Sequence, residues 1–439
     1  MRLPAIITRA FAIVLLSAAA TPALPVPVAI DSMSSAFPDA EVGGDTAQAR
    51  EFRAGIQALI RGNPTAAKAH YEAALKLDPN YAPALIGLAD IAQRHGNTHQ
   101  AEQYLQRAER AAPQSAAVRL AWGRYLIRGK QFKRAEISLL KAHELAPKAI
   151  PPLLELGDLY LRLGRPADGL KVYREAVAQD AGNKFAQYGL GAAAAASGQR
   201  DEALRAFEAA ATLAPKDAAP LRASGLIYME TGAFVEAIAA FDKGLARQPN
   251  FIPLMLDRAD ALARLKRWDD ALTQVGQAEK LAPNSAEIQL KIADVYQGAA
   301  HWNEAEARYL KAIRLNPRSA IAYNNLAWMT ISRNNGNSKK AVEWARKAVA
   351  LSPSSSPFHD TLGWVLRAAG DLPGAEVSLK KAIELEPKVA GYHYHLGIVQ
   401  SELNEPDAAR ASLKRALELD PNLPQADEVR LQLKSLPAM

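Results

Sequence analysis

Apolar residues recur at helical spacing in paired short segments along most of the chain. In residues 360–387, Leu362 and Leu366 share one face of a first segment, and Leu379 and Ile383 share one face of a second. Gly370-Asp371 between them is a turn signal, so the stretch predicts two amphipathic helices folded into a hairpin. Gly363 and Ala375 fall where the two helices cross, and side chains this small let two backbones approach closely. Ala382 repeats the device further along. Pro387 ends the second helix, because it has no N–H to donate and biases Glu386 away from the α region.

Varied copies of this hairpin run from about residue 48 to residue 421. Counted by the terminal proline, Pro79, Pro113 and Pro147 are evenly spaced, Ala181 takes the next slot, and Pro215, Pro249, Pro283 and Pro317 keep the step. The step lengthens once, by two positions at Pro353, and returns to its first value at Pro387 and Pro421. That makes eleven units. Every first helix has Gly or Ala at the crossing, from Gly55 and Ala89 through to Gly363 and Gly397; every second helix does too, from Ala67 to Ala409, with Gly169 the one glycine. Beyond it lies a large apolar residue in most units: Tyr71, Leu105, Leu139, Tyr173, Phe207, Phe241, Tyr309, Leu379 and Leu413. One hairpin cannot bury its apolar face alone, so the units are expected to stack into a single all-α solenoid with a continuous core. After Pro421, Val429, Leu433 and Leu436 share one helical face, which predicts a C-terminal capping helix within residues 422–439.

Period, paired small residues, intervening apolar position and terminal proline together resemble the tetratricopeptide repeat, over roughly 85% of the chain. The resemblance implies antiparallel helix pairs stacked into a right-handed superhelix, with a concave inner surface lined mainly by the first helices. It implies no reaction and no cofactor.

Residues 1–23 stand outside this pattern. Arg2 and Arg9 are their only charges, residues 10–20 form an apolar core too short for a comfortable membrane span, and small residues follow. This is the layout of a secretory signal peptide, with cleavage sites offered at Ala18-Ala19-Ala20 and at Ala23. Pro22, Pro25 and Pro27 argue against an uncleaved anchor helix. Residues 24–47 carry Pro, Ser, Gly and acidic residues without an apolar period and read as a flexible tether. An exported, periplasmic location is therefore expected. The chain has no cysteine, which excludes a lipid-modified N-terminus on a lipobox cysteine, disulfides and thiolate metal sites.

Charge narrows the partners. The chain holds 53 basic and 46 acidic residues, a formal net charge of +7, and the two signs are interleaved through every repeat. A nucleic-acid platform gathers its cations into a stripe with stacking aromatics, so no nucleic-acid partner is expected, and membrane association is expected only through partners. No phosphate loop, His-Glu-x-x-His or Gly-x-Ser-x-Gly is present, and the chain reads as non-catalytic. His393 and His395 stand two apart on a predicted helix and face different ways, which disfavours a metal site with His359. Asp158 and Asp260 occupy equivalent repeat positions and read as solvated residues of the inner face, not as paired carboxylates.

Repeats nine to eleven depart from the others. Repeat nine takes its two extra residues in the turn between its helices, a polar Asn- and Gly-rich loop at 333–338 of the kind that carries contacts. Its first helix holds Asn324, Asn325 and Trp328, repeat ten offers Asp360 and Trp364, and repeat eleven Tyr394 and His395. The family resemblance places positions 324, 328, 360, 364 and 394 on the concave face. Aromatic and amide side chains there make a candidate ligand face; in the packing reading, the tryptophans fill space between adjacent first helices and the amides satisfy turns. The strings at 324–328 (Asn-Asn-Leu-Ala-Trp) and 360–364 (Asp-Thr-Leu-Gly-Trp) resemble those of tetratricopeptide proteins accompanying bacterial exopolysaccharide and exosortase-type systems. Domains of the family that grip chaperone carboxylate tails use lysine, asparagine and arginine on successive first helices; Asn324 and Asn325 lack the matching basic neighbours, so that partner class is not implied. The expected role is a protein-binding scaffold or assembly factor of the bacterial envelope. The competing expectation is a glycan-binding accessory subunit of polysaccharide synthesis or export.

Overall fold

The computed structural model describes residues 44–333 and 338–437. The leader at 1–23, most of the tether and residues 334–337 of the polar loop lie outside the described residues. Within them the chain is all helical, with 23 helices and no strand, from α1 (Ala47–Ile60) to α23 (Ala426–Ser435). None of the described helices is long and apolar enough to cross a membrane. The described residues divide into two compact units, one of residues 44–233 with 246–248, the other of 234–245 with 249–437.

The first unit stacks helical hairpins in chain order: α1 with α2 (Pro64–Leu77), α3 (Ala82–Arg94) with α4 (Thr98–Ala111), α5 (Ala116–Arg128) with α6 (Phe132–Leu145), α7 (Ile150–Arg162) with α8 (Pro166–Gln179), and α9 (Lys184–Ala196) with α10 (Arg200–Leu213). α11 (Ala219–Glu230) continues the row, and α12 (Phe234–Arg247) falls at the division. First helices also contact the first helix of the next repeat, α3 with α5, α5 with α7 and α7 with α9, so they form the more crowded face. The second unit repeats the plan with α13 (Ile252–Arg264), α14 (Trp268–Leu281), α15 (Ala286–Gly298), α16 (Trp302–Leu315), α17 (Ala320–Ser332), α18 (Ser338–Leu351), α19 (Ser356–Ala368), α20 (Leu372–Leu385), α21 (Ala390–Glu402) and α22 (Pro406–Leu419).

Local chemistry sets the hairpins. Side chains of Asn63, Asn97, Ser115, Asn183, Ser285, Ser319 and Asp371 cap helix N-termini by accepting from backbone N–H groups. The second helices end on an extended residue just before the proline slot, Asp78 at φ −140° and Glu386 at φ −138°, as the residue before a proline prefers. Outside repeat nine, the turn inside each hairpin has one left-handed residue. Gly62, Gly96, Gly164 and Gly370 supply it without strain, whereas Lys130, Lys266, Ala300 and Asn404 adopt it at φ 57–61°.

The columns read from the sequence form the core. Ala67, Ala101, Ala135, Ala203, Ala375 and Ala409 are fully buried, and so are Tyr71, Tyr173, Phe241, Tyr309, Leu379 and Leu413. Two tyrosines occupy slots that only glycine permits. A Cβ on Gly55 or Gly87 would stand 2.3 or 2.5 Å from the Tyr71 ring, and one on Gly157 or Gly189 would stand 2.4 or 2.1 Å from that of Tyr173. The capping helix is α23. Val429 is fully buried in a cluster with Tyr394, Ile398 and Leu413, and Leu433 and Leu436 pack against it. Leu431 stands one repeat step after Gly397, in the small-residue column, and is 68% exposed.

Candidate functional site

Contacts between successive first helices follow one register. The residue just after the small residue of one repeat meets the residue two before it in the next: Arg124 with Glu155 at 2.6 Å, Asp260 with Lys291 at 2.8 Å, Asp294 with Asn325 at 3.1 Å, and Trp364 with His395, whose ring centroids lie 4.2 Å apart.

In repeats seven to nine this register is polar. The Lys291 ammonium lies beside both Asp260 and Asp294; burial would lower its pKa, but the two carboxylates outweigh burial and raise it. Asp294 accepts from the Tyr309 hydroxyl at 2.6 Å and from the Asn325 amide, and its burial still pushes its carboxyl up. Glu279 goes the other way: burial raises it, but donors on Gln289, Arg308 and Lys311 bring it down to about 2. These groups satisfy one another. Among the described residues no group of three or more His, Cys, Asp or Glu is arranged to hold a metal ion. His359 and His393 instead bond the carbonyls of Pro353 and Pro387.

In repeats nine to eleven the register turns aromatic. His395 is the hub: its Nδ1 lies 2.7 Å from Asp360 Oδ1, and its ring is 4.2 Å from Trp364, 5.4 Å from Tyr394 and 6.4 Å from Trp328. The Arg367 guanidinium sits 4.4 Å from the Trp364 ring centre and is held by both oxygens of Glu402. Trp328 and Trp364 stay half-buried, each with part of its surface open.

The structure therefore brings Trp328, Asp360, Trp364, Tyr394 and His395 together. Tyr394 is 5% exposed, with its ring between α21 and the capping helix; burial, reinforced by the Glu428 carboxylate, raises its hydroxyl pKa. Asn324 and Asn325 are withdrawn from the surface. Asn324 is 2% exposed and donates to Asn325 Oδ1 at 3.3 Å, and Asn325 belongs to the Asp294 network. Asp158 and Asp260 are not simply solvated: Asp158 accepts from the Tyr173 hydroxyl and Asp260 pairs with Lys291. Sequence reasoning missed Arg367 and Glu402. Their signal is the pairing itself, an arginine one turn after Trp364 and an acid at the matching end of the next first helix.

Family models described as tetratricopeptide repeat match residues 58–124 and 366–433, and residues 154–218, 188–250 and 290–356. Between them they take in more than half of the chain, which belongs to the tetratricopeptide-repeat family. A protein called cellulose synthase 1 operon protein C, from Komagataeibacter xylinus, is 28% identical over 163 residues, 34% of this chain and 12% of that protein. The chain thus spans a small part of the length of this relative. Yeast Tom70 is similar in structure at a TM-score of 0.51 and 14% identity, over 89% of this chain and 95% of that one, which is a likeness of fold. The Cut9-Hcn1 hetero-tetramer of the APC/C gives a TM-score of 0.47 at 14% identity, over 91% and 100%.

Proposed function

We propose that the chain is a non-catalytic assembly factor of the bacterial envelope that captures a partner polypeptide on the first helices of repeats nine to eleven. The observation that carries this reading is the anchoring of Trp364. Its ring is stacked on His395, which Asp360 holds in place, and Arg367, itself fixed by Glu402, lies over it. A rigid, half-open indole loses little freedom on binding, and such side chains carry most of the energy of protein interfaces. Export to the envelope rests on the order of charged, apolar and small residues at 1–23.

A second reading has its own support. Indole faces also suit sugar rings, and the relative from Komagataeibacter xylinus is named for a cellulose synthase operon; on this reading the same patch binds glycan beside a polysaccharide synthase. Pull-down from envelope extract and a glycan array, each run with the wild type and with Trp328→Ala/Trp364→Ala, separate the two. The expected outcome is a captured protein whose affinity falls by at least ~2 kcal/mol in the double variant while the melting temperature holds. Unchanged capture, or a fall in melting of the size expected for core truncation, about 3–5 kcal/mol, removes the patch reading; glycan binding lost in the same variant installs the second one.

A further inference from the structure

The charge of the chain is not spread evenly in space. Residues 47–180, repeats one to four, hold 20 lysines and arginines against 13 acids, whereas residues 181–439 are nearly balanced, 31 against 29. The excess gathers on one edge, where the turns inside successive hairpins lie side by side. Arg61, Lys130, Lys133, Arg134 and Arg162 are all exposed there.

Three acids of this edge are already engaged by other arginines. Asp90 pairs with both Arg94 and Arg128, and Glu136 and Asp168 both pair with Arg165. Among the described residues no ion pair reaches Arg61, Lys130, Lys133 or Arg134. The edge therefore carries a net positive charge that its own acids do not cancel.

Two features show that folding did not ask for three of these cations, Lys130, Lys133 and Arg134. Lys130 is held in the left-handed region at φ 57°, at a turn position where the hairpins on either side have Gly96 and Gly164; a side chain there is strained. Lys133 and Arg134 sit in the first turn of α6, next to the positive end of its macrodipole, where acids are preferred. α8, α10, α14 and α16 have acids in that turn, but α2, α4 and α6 have none, nor do α18 and α20 outside this edge.

We propose that this edge of repeats one to four docks on an anionic phospholipid surface. The turns stand about 10 Å apart along the row, a spacing that suits a flat array of phosphate headgroups better than a single extended chain. Aliphatic side chains without cover accompany the cations: Ile60 is 51% and Ile137 68% exposed, the latter one turn from Lys133. Cations for headgroups and aliphatics for the acyl boundary are the pairing of a peripheral membrane contact. The proposal revises the expectation that membranes are reached only through partners.

Sedimentation of the full chain with vesicles of equimolar phosphatidylglycerol and phosphatidylcholine, and with pure phosphatidylcholine, tests it, against Lys130→Gly/Lys133→Gln/Arg134→Gln. The leader is common to both proteins, so the difference between them reads the edge. The expected result is binding to the anionic vesicles that falls roughly 100-fold in the triple variant, weakens as salt is raised, and leaves melting unchanged or raised. Equal partition of the two proteins on anionic vesicles overturns the proposal. So does wild-type binding that is no tighter to anionic than to neutral vesicles; if polyglutamate is then retained by the wild type and not by the variant, the edge is assigned to an acidic polypeptide instead.

Discussion

Asp158 shows how an inner-face residue acquires a function of pH. Burial, reinforced by the neighbouring Glu155 carboxylate, pushes its carboxyl up to about 7, against the opposing pull of the Tyr173 hydroxyl and Arg162. A folded pKa raised above the unfolded one means that the folded state holds the proton where the unfolded state has lost it. The associated stability is fully present below about pH 4 and is lost as pH rises through about 7. Asp158→Asn keeps an oxygen acceptor for Tyr173 and removes the titration. The variant is expected to be more stable than the wild type at pH 8, by an amount on the order of 1 kcal/mol or more, with a flatter decline in melting temperature between pH 6 and 8. A variant whose melting declines as steeply as the wild type's assigns the titration elsewhere. From the sequence, Asp158 looked solvated because its position is on the inner face. The tyrosine that buries it is on the partner helix, and only the hairpin brings the two together.

Helix packing was the part most open to sequence reasoning, because its determinants are single residues at fixed steps. Gly55, Tyr71 and Gly87 are evenly spaced along the chain, and Gly157, Tyr173 and Gly189 repeat that spacing: the rings on α2 and α8 slot between glycines of two successive first helices. Gly189→Ala places a methyl 2.1 Å from the Tyr173 ring, which Gly157 backs from the other side, and is expected to cost about 1–3 kcal/mol. Gly276→Ala, on α14 with nothing within 4 Å, is expected to stabilise by up to ~1 kcal/mol through helix propensity. Urea titrations of both variants that move in the same direction would count against this account. The aromatic patch was legible in part. Trp328, Trp364 and His395 stood out by type, and the register between successive first helices joins two of them. Burial of Asn324 and Asn325 was not legible, because amides on an inner face look the same in sequence whether they meet a ligand or a buried aspartate.

For the molecule as a whole, each repeat is stabilised chiefly by its neighbours. Ala375 is fully buried, and a Cβ on Gly363 would come within 3.1 Å of its carbonyl oxygen; Ala375→Leu is expected to cost roughly 1–3 kcal/mol. Hydrogen exchange should report lost protection centred on repeats nine to eleven, with repeats two to four nearly unchanged; uniform loss would mean that coupling is global. Charge was only partly legible at this scale: the excess of repeats one to four can be counted along the chain, but its edge emerges only when the turns of successive hairpins are laid side by side. Leu431 adds a consequence of its own. Tandem duplication lengthens such arrays by copying a unit, and a copy thrives only where the next helix finds a small residue to rest on. Inserted between Pro387 and Pro421, a duplicated unit meets Gly or Ala on both sides. Appended behind α23, it would meet a leucine, so an engineered extra unit is expected to be accepted between Pro387 and Pro421 and refused behind α23.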